Sequence, residues 1–291
     1  MVKDMQENKI FTNLEPKQKN YKIIKKYGQG HFCSVYKALR QEDNNYYALK
    51  IVKFQNLTKQ NRQSSLNEIQ FLSQINCPFI VGYFDAFFED DSQNLYIVLE
   101  NLEKGDLSNL IRFFHEKKQL LPEKLIWQYI FQIGMGIKIL HYYNICHRDI
   151  KTANILIGQD QNAKIADFNI ALHNNRGVMF QQGGTPMYAA PEIWNKKQFD
   201  SKSDCWSFGC IIYEMCKGHP PFQGNDMDEL LKNIQTLNYK PIPNTYSNDL
   251  QQTLQYLLVQ NPNRRYSIDQ FFKIPYYQQY NDLVQHKIYN R

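Results

Sequence analysis

Two short polar motifs constrain this chain more than any other feature of its sequence. The first is His-Arg-Asp-Ile-Lys-Thr-Ala-Asn at residues 147–154, and the second is Asp-Phe-Asn at residues 167–169. They supply a carboxylate at Asp149, a carboxamide at Asn154 and a second carboxylate at Asp167. Mg²⁺ prefers such oxygen ligands and usually takes only one or two of them from protein. We therefore expect Asn154 and Asp167 to bind metal, which leaves Asp149 to accept the proton of a hydroxyl nucleophile.

The order and spacing of these residues resemble the catalytic and metal-binding loops of eukaryotic protein kinases. Lys151 stands two residues after Asp149, where the serine/threonine branch of that family has lysine. The resemblance implies an α+β protein of the two-lobed protein kinase fold, which uses ATP and Mg²⁺ to phosphorylate protein serine or threonine. It makes Asp149 the base, Lys151 the residue that steadies the γ-phosphate, and Asn154 and Asp167 the metal ligands.

The first part of the chain carries a pattern that is typical of nucleotide binding in kinases. Residues 21–52 alternate β-favouring side chains around a glycine turn and predict three antiparallel strands. Gly28 and Gly30 lack a Cβ, which lets backbone amides approach phosphate, although tight hairpins also use Gly-x-Gly. Cys33 replaces the third glycine of the family pattern. Lys50 lies between apolar neighbours, which favours an inward side chain, and the kinase resemblance implies that this lysine contacts the α- and β-phosphates.

Residues 60–76 have apolar side chains at helical spacing and predict a helix, and two further strands are predicted at residues 77–83 and 95–100. In kinases the glutamate of this helix pairs with the strand lysine, so the resemblance implies an ion pair between Glu68 and Lys50. The alternative is that Glu68 is an exposed helix acid. For the rest of the nucleotide, the resemblance implies an adenine site of Val35, Ala48 and Leu156, a gatekeeper at Leu99, a hinge containing Glu100 and Leu102, and a ribose contact at Asp106.

Beyond residue 106 the pattern is helical. Residues 125–142 have one apolar face, and residues 201–215 are apolar enough to form a buried helix. Later strings at residues 184–192 and 261–265 match further kinase markers, and the resemblance implies a buried ion pair between Glu192 and Arg265. The predicted domains are a flexible leader at residues 1–20, a kinase domain at 21–275 divided into an N-lobe (21–99) and a C-lobe (100–275), and a C-terminal tail at 276–291.

Composition excludes several other classes of protein. The chain has 34 Lys and Arg against 28 Asp and Glu, a net charge of +6 without a concentrated basic block, so we expect no nucleic-acid partner. Its six cysteines form no C-x-x-C pair, so the sequence indicates neither a zinc site nor a disulfide framework. This pattern favours a reducing, cytoplasmic compartment. The N-terminus is too charged for a signal peptide, and no window of about twenty apolar residues predicts a membrane span.

Four strings resemble the NIMA-related (Nek) kinases in particular, and calcium/calmodulin-type and ULK-like kinases share parts of them. They lie at residues 66–69, 80–83, 95–100 and 105–107. Nek resemblance implies microtubule or ciliary partners and a place in the cytoskeleton, basal body or cilium. The alternative is a pseudoenzyme of kinase fold, acting as a scaffold or microtubule-associated structural protein. Cys33 and Asn169, which replace family glycines, favour that alternative, and retention of the five catalytic and ion-pair residues opposes it.

The segment that follows the second motif is unusual in composition. Residues 168–184 contain no Ser, Thr or Tyr and no Asp or Glu. In many kinases the arginine at the position of Arg148 binds a phosphorylated side chain of this segment through charge-assisted hydrogen bonds. We therefore expect that phosphorylation of this segment does not activate the protein.

Overall fold

The computed structural model describes residues 20–30, 33–54, 57–89, 93–167, 186–195, 200–275 and 277–278. The chain forms two compact units, Met1–Glu103 and Lys104–Arg291. In its described residues the first unit holds a five-stranded sheet and an α-helix, and the second is mainly helical with a two-stranded sheet. This is the α+β organisation that the sequence predicts.

The sheet of the first unit is antiparallel, with its strands in the order β1-β2-β3-β5-β4. Its strands pack around buried aromatic and aliphatic side chains such as Leu49, Phe87 and Val98. The three strands predicted at residues 21–52 and the strand predicted at residues 95–100 are confirmed. The strands are β1 Tyr21–Gln29, β2 Cys33–Arg40, β3 Asn45–Lys53, β4 Tyr83–Glu89 and β5 Asn94–Glu100.

The strand predicted at residues 77–83 is wrong, because β4 begins only at Tyr83. Pro78 lies in a turn, and it has no N–H group with which to join a ladder. Phe79, Ile80 and Val81 are nevertheless buried. The apolar character of this segment therefore reflects its burial in the core rather than a strand.

The helix predicted at residues 60–76 is present but shorter, as α1 Lys59–Leu72. Its apolar face is buried at Leu66, Ile69 and Leu72, as the periodicity predicts. After Leu72 the helix gives way to a turn with i to i−3 hydrogen bonds, such as the one from Gln74 N–H to Phe71 O at 3.0 Å. Ile75 continues the apolar period but lies beyond the helix, so periodicity alone placed the end of the helix too late.

In the second unit, two predicted helices are confirmed as α3 Glu123–Tyr142 and α5 Ser201–Lys217. Helix α5 is buried on all sides from Ser203 to Cys216, which is typical of a helix at the centre of a domain. The other described elements of this unit are α2 Leu107–Glu116, β6 Ile155–Ile157, β7 Ala163–Ile165, α4 Pro191–Trp194, α6 Met227–Thr236, α7 Asn248–Leu257 and α8 Ile268–Phe271.

Helix α5 approaches its neighbours closely because Gly209 has no side chain. A Cβ at this position would lie 2.9 Å from a methyl carbon of Leu258, just after α7.

Within the described residues, no helix has the length and apolar character needed to cross a bilayer.

Candidate active site

The second unit brings together the three residues predicted to be catalytic. Asp149 and Lys151 precede a single 3-10 turn, Thr152–Asn154. Asp149 Oδ2 accepts a hydrogen bond from Lys151 Nζ at 2.8 Å and another from Asn154 Nδ2 at 3.0 Å. The amide of Asn154 also donates to the backbone oxygen of Asp149 at 2.8 Å. Two donors thus fix the carboxylate, whose side chain keeps 23% exposure.

This geometry leaves specific atoms available for chemistry. Among the described residues, no group donates a hydrogen bond to Asp149 Oδ1, so this oxygen can accept a proton from a bound hydroxyl. Because Nδ2 of Asn154 faces Asp149, the oxygen of the same amide is the end directed away from it. An amide oxygen, together with the exposed carboxylate of Asp167, is a donor set that fits Mg²⁺.

A buried carboxylate on α5 fixes the backbone of this loop. Asp204 accepts hydrogen bonds from the backbone N–H groups of His147 and Arg148, both at 2.9 Å, and lies 2.9 Å from His141 Nε2. Burial alone would raise the pKa of Asp204, but its contact with His141 and the backbone hydrogen bonds that it accepts hold this pKa below its usual range. Arg148 has a φ of 69°, a left-handed conformation that is costly for a side chain with a Cβ. Asp204 therefore stabilises a strained loop that presents Asp149.

His147 connects the two polar motifs. Burial lowers the pKa of its imidazole, so the ring is neutral at neutral pH. Its Nε2–H donates to the backbone oxygen of Ala166 at 3.1 Å, and its Nδ1 accepts from the N–H of Asp149 at 3.3 Å. Asp167, which follows Ala166, also has a positive φ of 61°. The ring thus links the loop of the proposed base to the residue that precedes the proposed metal ligand.

The first unit contains the predicted lysine–glutamate pair. Lys50 on β3 and Glu68 on α1 are joined by a 2.9 Å contact between Nζ and Oε1. Both residues are buried, with 8% and 7% exposure. The alternative of an exposed helix acid at Glu68 is therefore wrong.

The glycine turn of the first unit has space beside it. Gly28 pairs with Val35 across β1 and β2, and a Cβ added there would meet no atom within 4 Å. Its φ is not positive, so neither backbone conformation nor packing within the described residues requires glycine at this position. Gly30 donates its N–H to the backbone oxygen of Cys33 at 2.8 Å. An open, side-chain-free backbone of this kind fits the close approach of a phosphate.

The remaining residues predicted for nucleotide binding lie on regular elements or next to them. Ala48 on β3 is paired with Leu99 on β5, and Leu102 follows β5. The side chain of Glu100 accepts from the N–H of Gly82 at 3.0 Å, which ties it back to the residue before β4. In this unit the structure brings together Val35, Ala48, Lys50 and Leu99 on neighbouring strands.

Two further predicted residues lie side by side in the second unit. Asp106 and Leu156 form an isolated β-bridge. The carboxylate of Asp106 caps α2, since it accepts from the backbone N–H and from the side-chain amide of Asn109, both at 2.8 Å. Its ribose contact stays a prediction. The expectations for Asn169 and for residues 168–184 lie outside the described residues.

Sequence reasoning missed one buried polar cluster behind the catalytic loop. The carboxyl group of Glu214 on α5 accepts hydrogen bonds from Tyr188 Oη and, at 3.3 Å, from Thr152 Oγ1. Burial raises the pKa of Glu214 to about 7. Among the described residues, Tyr188 and Cys210 are titratable groups whose own pKa values Glu214 helps to raise. The available sequence signal was Glu214 itself, an acid within the mostly apolar stretch at residues 208–216 of α5.

Ionisation of Glu214 should make the protein less stable as the pH rises. Its folded-state pKa is above the unfolded value of 4.5, so the folded protein keeps a proton that the unfolded chain releases. The contribution of protonated Glu214 to the free energy of unfolding is complete below about pH 4.5 and is lost as the pH rises through about 7. Glutamine cannot ionise, so the unfolding free energy of Glu214→Gln should not fall in this way. As the pH rises from about 5 to about 8, it should increase by about 1–3 kcal/mol relative to that of the parent, measured by urea denaturation.

The same substitution at the exposed Glu116 provides the control, and its unfolding free energy should follow that of the parent at every pH. Parallel pH dependences for the parent and Glu214→Gln would show that Glu214 does not titrate in this range.

Comparison with known proteins identifies the class of this chain. The protein kinase domain family matches residues 21–277, and the chain belongs to that family. The chain is 32% identical over 254 residues to the probable serine/threonine-protein kinase nek2 of Dictyostelium discoideum, covering 86% of this chain and 61% of that protein.

Two human proteins are similar to a comparable extent. Serine/threonine-protein kinase Nek5 is 34% identical over 259 residues, which cover 88% of this chain and 36% of Nek5. Serine/threonine-protein kinase ULK3 is 34% identical over 270 residues, which cover 90% of this chain and 55% of ULK3. The expected resemblance to NIMA-related kinases is confirmed. The chain spans between about a third and three fifths of the length of these curated relatives.

Proposed function

We propose that this chain is a serine/threonine protein kinase that transfers the γ-phosphoryl group of Mg-ATP to protein hydroxyls. The observation that carries the proposal is the fixed cluster of Asp149, Lys151 and Asn154. A carboxylate with one oriented oxygen and one accessible oxygen, beside an ammonium group, suits proton removal from a hydroxyl next to a phosphate. Support also comes from the relatives, whose names describe them as serine/threonine-protein kinases.

In this proposal the residues of the second unit perform the chemistry. Asp149 accepts the proton of the acceptor serine or threonine, and Lys151 stabilises negative charge on the transferred group. Asn154 and Asp167 hold Mg²⁺ through oxygen atoms. Bound Mg-ATP supplies the phosphoryl group and neutralises charge on its oxygens.

The residues of the first unit hold the nucleotide. Glu68 orients Lys50 toward the α- and β-phosphates, and the open backbone at Gly28 and Gly30 approaches the same groups. Backbone groups of residues 100–102 bind the adenine edge, beside Leu99. The kinase resemblance assigns Val35, Ala48 and Leu156 to the adenine ring and Asp106 to the ribose.

The cellular role follows from the Nek resemblance alone. We propose microtubule or ciliary proteins as partners, and a cytoplasmic location at the cytoskeleton, basal body or cilium. Co-sedimentation of the purified chain with polymerised tubulin tests this assignment. Equal recovery with and without polymer would contradict it.

The competing function is a kinase-fold scaffold without transfer activity, which Cys33 and Asn169 favour. The experiment that separates the two is incorporation of labelled γ-phosphate into a generic protein acceptor by the parent chain and by its Asp149→Asn variant. Transfer by the parent that Asp149→Asn abolishes supports the enzyme. Nucleotide binding without transfer by the parent supports the scaffold.

The activity should not depend on phosphorylation of residues 168–184, because the segment has no hydroxyl group to phosphorylate. Phosphatase treatment of purified active protein should leave its rate unchanged. Intact-mass measurement before and after treatment checks that phosphate was removed. A large loss of rate that maps to Thr185, the first hydroxyl after the segment, would contradict this expectation.

A further inference from the structure

A chain of side-chain contacts in the first unit joins the end of β1 to the residues that follow β5. Tyr27 Oη donates to Asn101 Oδ1 at 2.6 Å, and Asn101 Nδ2 donates to Glu103 Oε1 at 2.8 Å. Lys37 on β2 forms an ion pair with the same oxygen of Glu103. We call these four residues the clasp. It links segments that are 74 residues apart in sequence.

The backbone of β1 is irregular where the clasp begins. Lys26 pairs with Tyr36 and Gly28 pairs with Val35, so Tyr27 is an extra residue in β1. A bulge of this kind re-aims the side chain of the extra residue and is common beside active sites. Here the bulge lies immediately before the glycine turn, and the side chain it re-aims is the one that begins the clasp.

The position of β1 explains what the clasp adds. β1 is an edge strand whose ladder partner is β2, and its residues after Tyr21 are exposed. A strand paired along one side only opens more easily than an interior strand. The bond from Tyr27 gives β1 a second attachment, one residue before Gly28. The clasp thereby fixes the base of the glycine turn relative to residues 100–102.

The charges of the clasp favour its closed arrangement. The hydrogen bond from Lys37 lowers the pKa of Glu103, and the bond from Asn101 adds to the effect, while Glu103 raises the pKa of Lys37. Lys37 Nζ also lies 4.0 Å from the ring centroid of Tyr46, a cation–π contact. Single exposed ion pairs contribute little, but a connected network with an aromatic support holds its geometry better. Burial raises the pKa of Tyr27, so its hydroxyl remains a donor at neutral pH.

We infer that Tyr27 is a positioning residue for the nucleotide, acting through Asn101 to hold two nucleotide-contacting backbones in place before the ligand binds. The inference rests on the proposed function, because it takes the glycine turn as the phosphate contact and residues 100–102 as the adenine contact. Ordering a site in advance reduces the loss of entropy on binding. The clasp touches no reacting atom, so it affects nucleotide affinity and not the chemical step.

The test uses Tyr27→Phe, which keeps the ring and removes the bond to Asn101. By isothermal titration calorimetry, its Kd for Mg-ADP should be about 3- to 10-fold above that of the parent chain. The KM for ATP should rise in parallel, while kcat and the thermal midpoint stay close to the parent values. Asn101→Ala should weaken binding as well, and the double variant should bind like Asn101→Ala alone, because both changes remove one shared bond.

Tyr46→Phe is the matched control, since it removes a hydroxyl from the same sheet and keeps the ring over Lys37. Its Kd should equal that of the parent. If Tyr27→Phe does not fold, Glu103→Gln should raise the Kd in the same direction, by about 2- to 5-fold.

Three results would overturn the inferred role of the clasp and leave the proposed function intact. They are unchanged Mg-ADP affinity in the clasp variants, additive effects of Tyr27→Phe and Asn101→Ala, and a fall in thermal midpoint and kcat at constant KM. The last result would indicate a packing role. A parent chain that binds no Mg-ADP would overturn the proposed function and the clasp with it.

Discussion

Replacing Asp149 with asparagine should lower kcat for phosphoryl transfer by about 10²- to 10⁴-fold, the usual effect of removing a general base. The amide keeps the size of the carboxylate, and its oxygen can still accept a bond from Lys151. It cannot take a proton from the acceptor hydroxyl. The Kd for Mg-ATP should change by no more than a few-fold, because in our proposal Asp149 contacts the acceptor and not the nucleotide. Steady-state kinetics and calorimetry on the same preparation measure both quantities.

The matched control for this experiment is Asp160→Asn, in the turn between β6 and β7. Asp160 is exposed, and its carboxylate accepts from the backbone N–H and side-chain amide of Asn162 at 3.0 and 2.6 Å. The same chemical change there should leave kcat within about twofold of the parent value. Full activity in Asp149→Asn, in a preparation free of contaminating kinases, would refute the assignment of Asp149 as the base.

The sequence predicted the members of the catalytic cluster because they lie close together along the chain. Asp149, Lys151 and Asn154 fall within six residues, so local geometry brings their side chains into contact. The pairing of Lys50 with Glu68 came from the kinase resemblance and is confirmed by the structure. No periodicity in the sequence could have selected that partner for the lysine.

Contacts between distant residues could not be predicted in this way. Asp204 supports the loop from 56 and 57 residues away, and its place near the start of a mostly apolar helix does not indicate which backbone it binds. The bond from Tyr27 to Asn101 depends on a bulge in β1, which changes the direction of a side chain without a signature in the hydrophobic pattern. Tertiary geometry, rather than local propensity, decides these contacts.

The two errors in the fold have one physical cause. Within residues 77–83, the apolar side chains of Phe79, Ile80 and Val81 are buried without forming a strand, and Ile75 continues the apolar period as a partly buried residue beyond the end of α1. Hydrophobic pattern reports burial, and it reports secondary structure only where a ladder or helix also satisfies the backbone. Pro78 has no backbone N–H to donate to a ladder, so its presence in the segment argued against a strand.

Breaking the buried ion pair of the second unit should have the largest effect on stability. Arg265 Nη1 and Nη2 donate to the two carboxylate oxygens of Glu192 at 2.7 and 2.9 Å, and the Arg265 side chain has no exposed area. Arg265 also donates to the backbone oxygens of Val259 and Lys202, at 3.0 and 2.8 Å. Glu192→Leu would leave a buried, uncompensated guanidinium group. We expect it to lower the unfolding free energy by about 3–5 kcal/mol in urea denaturation.

A second substitution distinguishes the ion pair from simple packing. Arg265→Met alone should cost a similar amount, because it leaves the Glu192 carboxylate buried without its cation, whereas the double variant should recover much of the loss. The exposed pair of Lys138 and Asp269, 3.5 Å apart with side-chain exposures of 42% and 67%, is the control. Asp269→Asn should cost less than about 1 kcal/mol, because solvent screens that pair. Additive losses in the double variant would mean that Glu192 and Arg265 stabilise the fold through separate contacts rather than through each other.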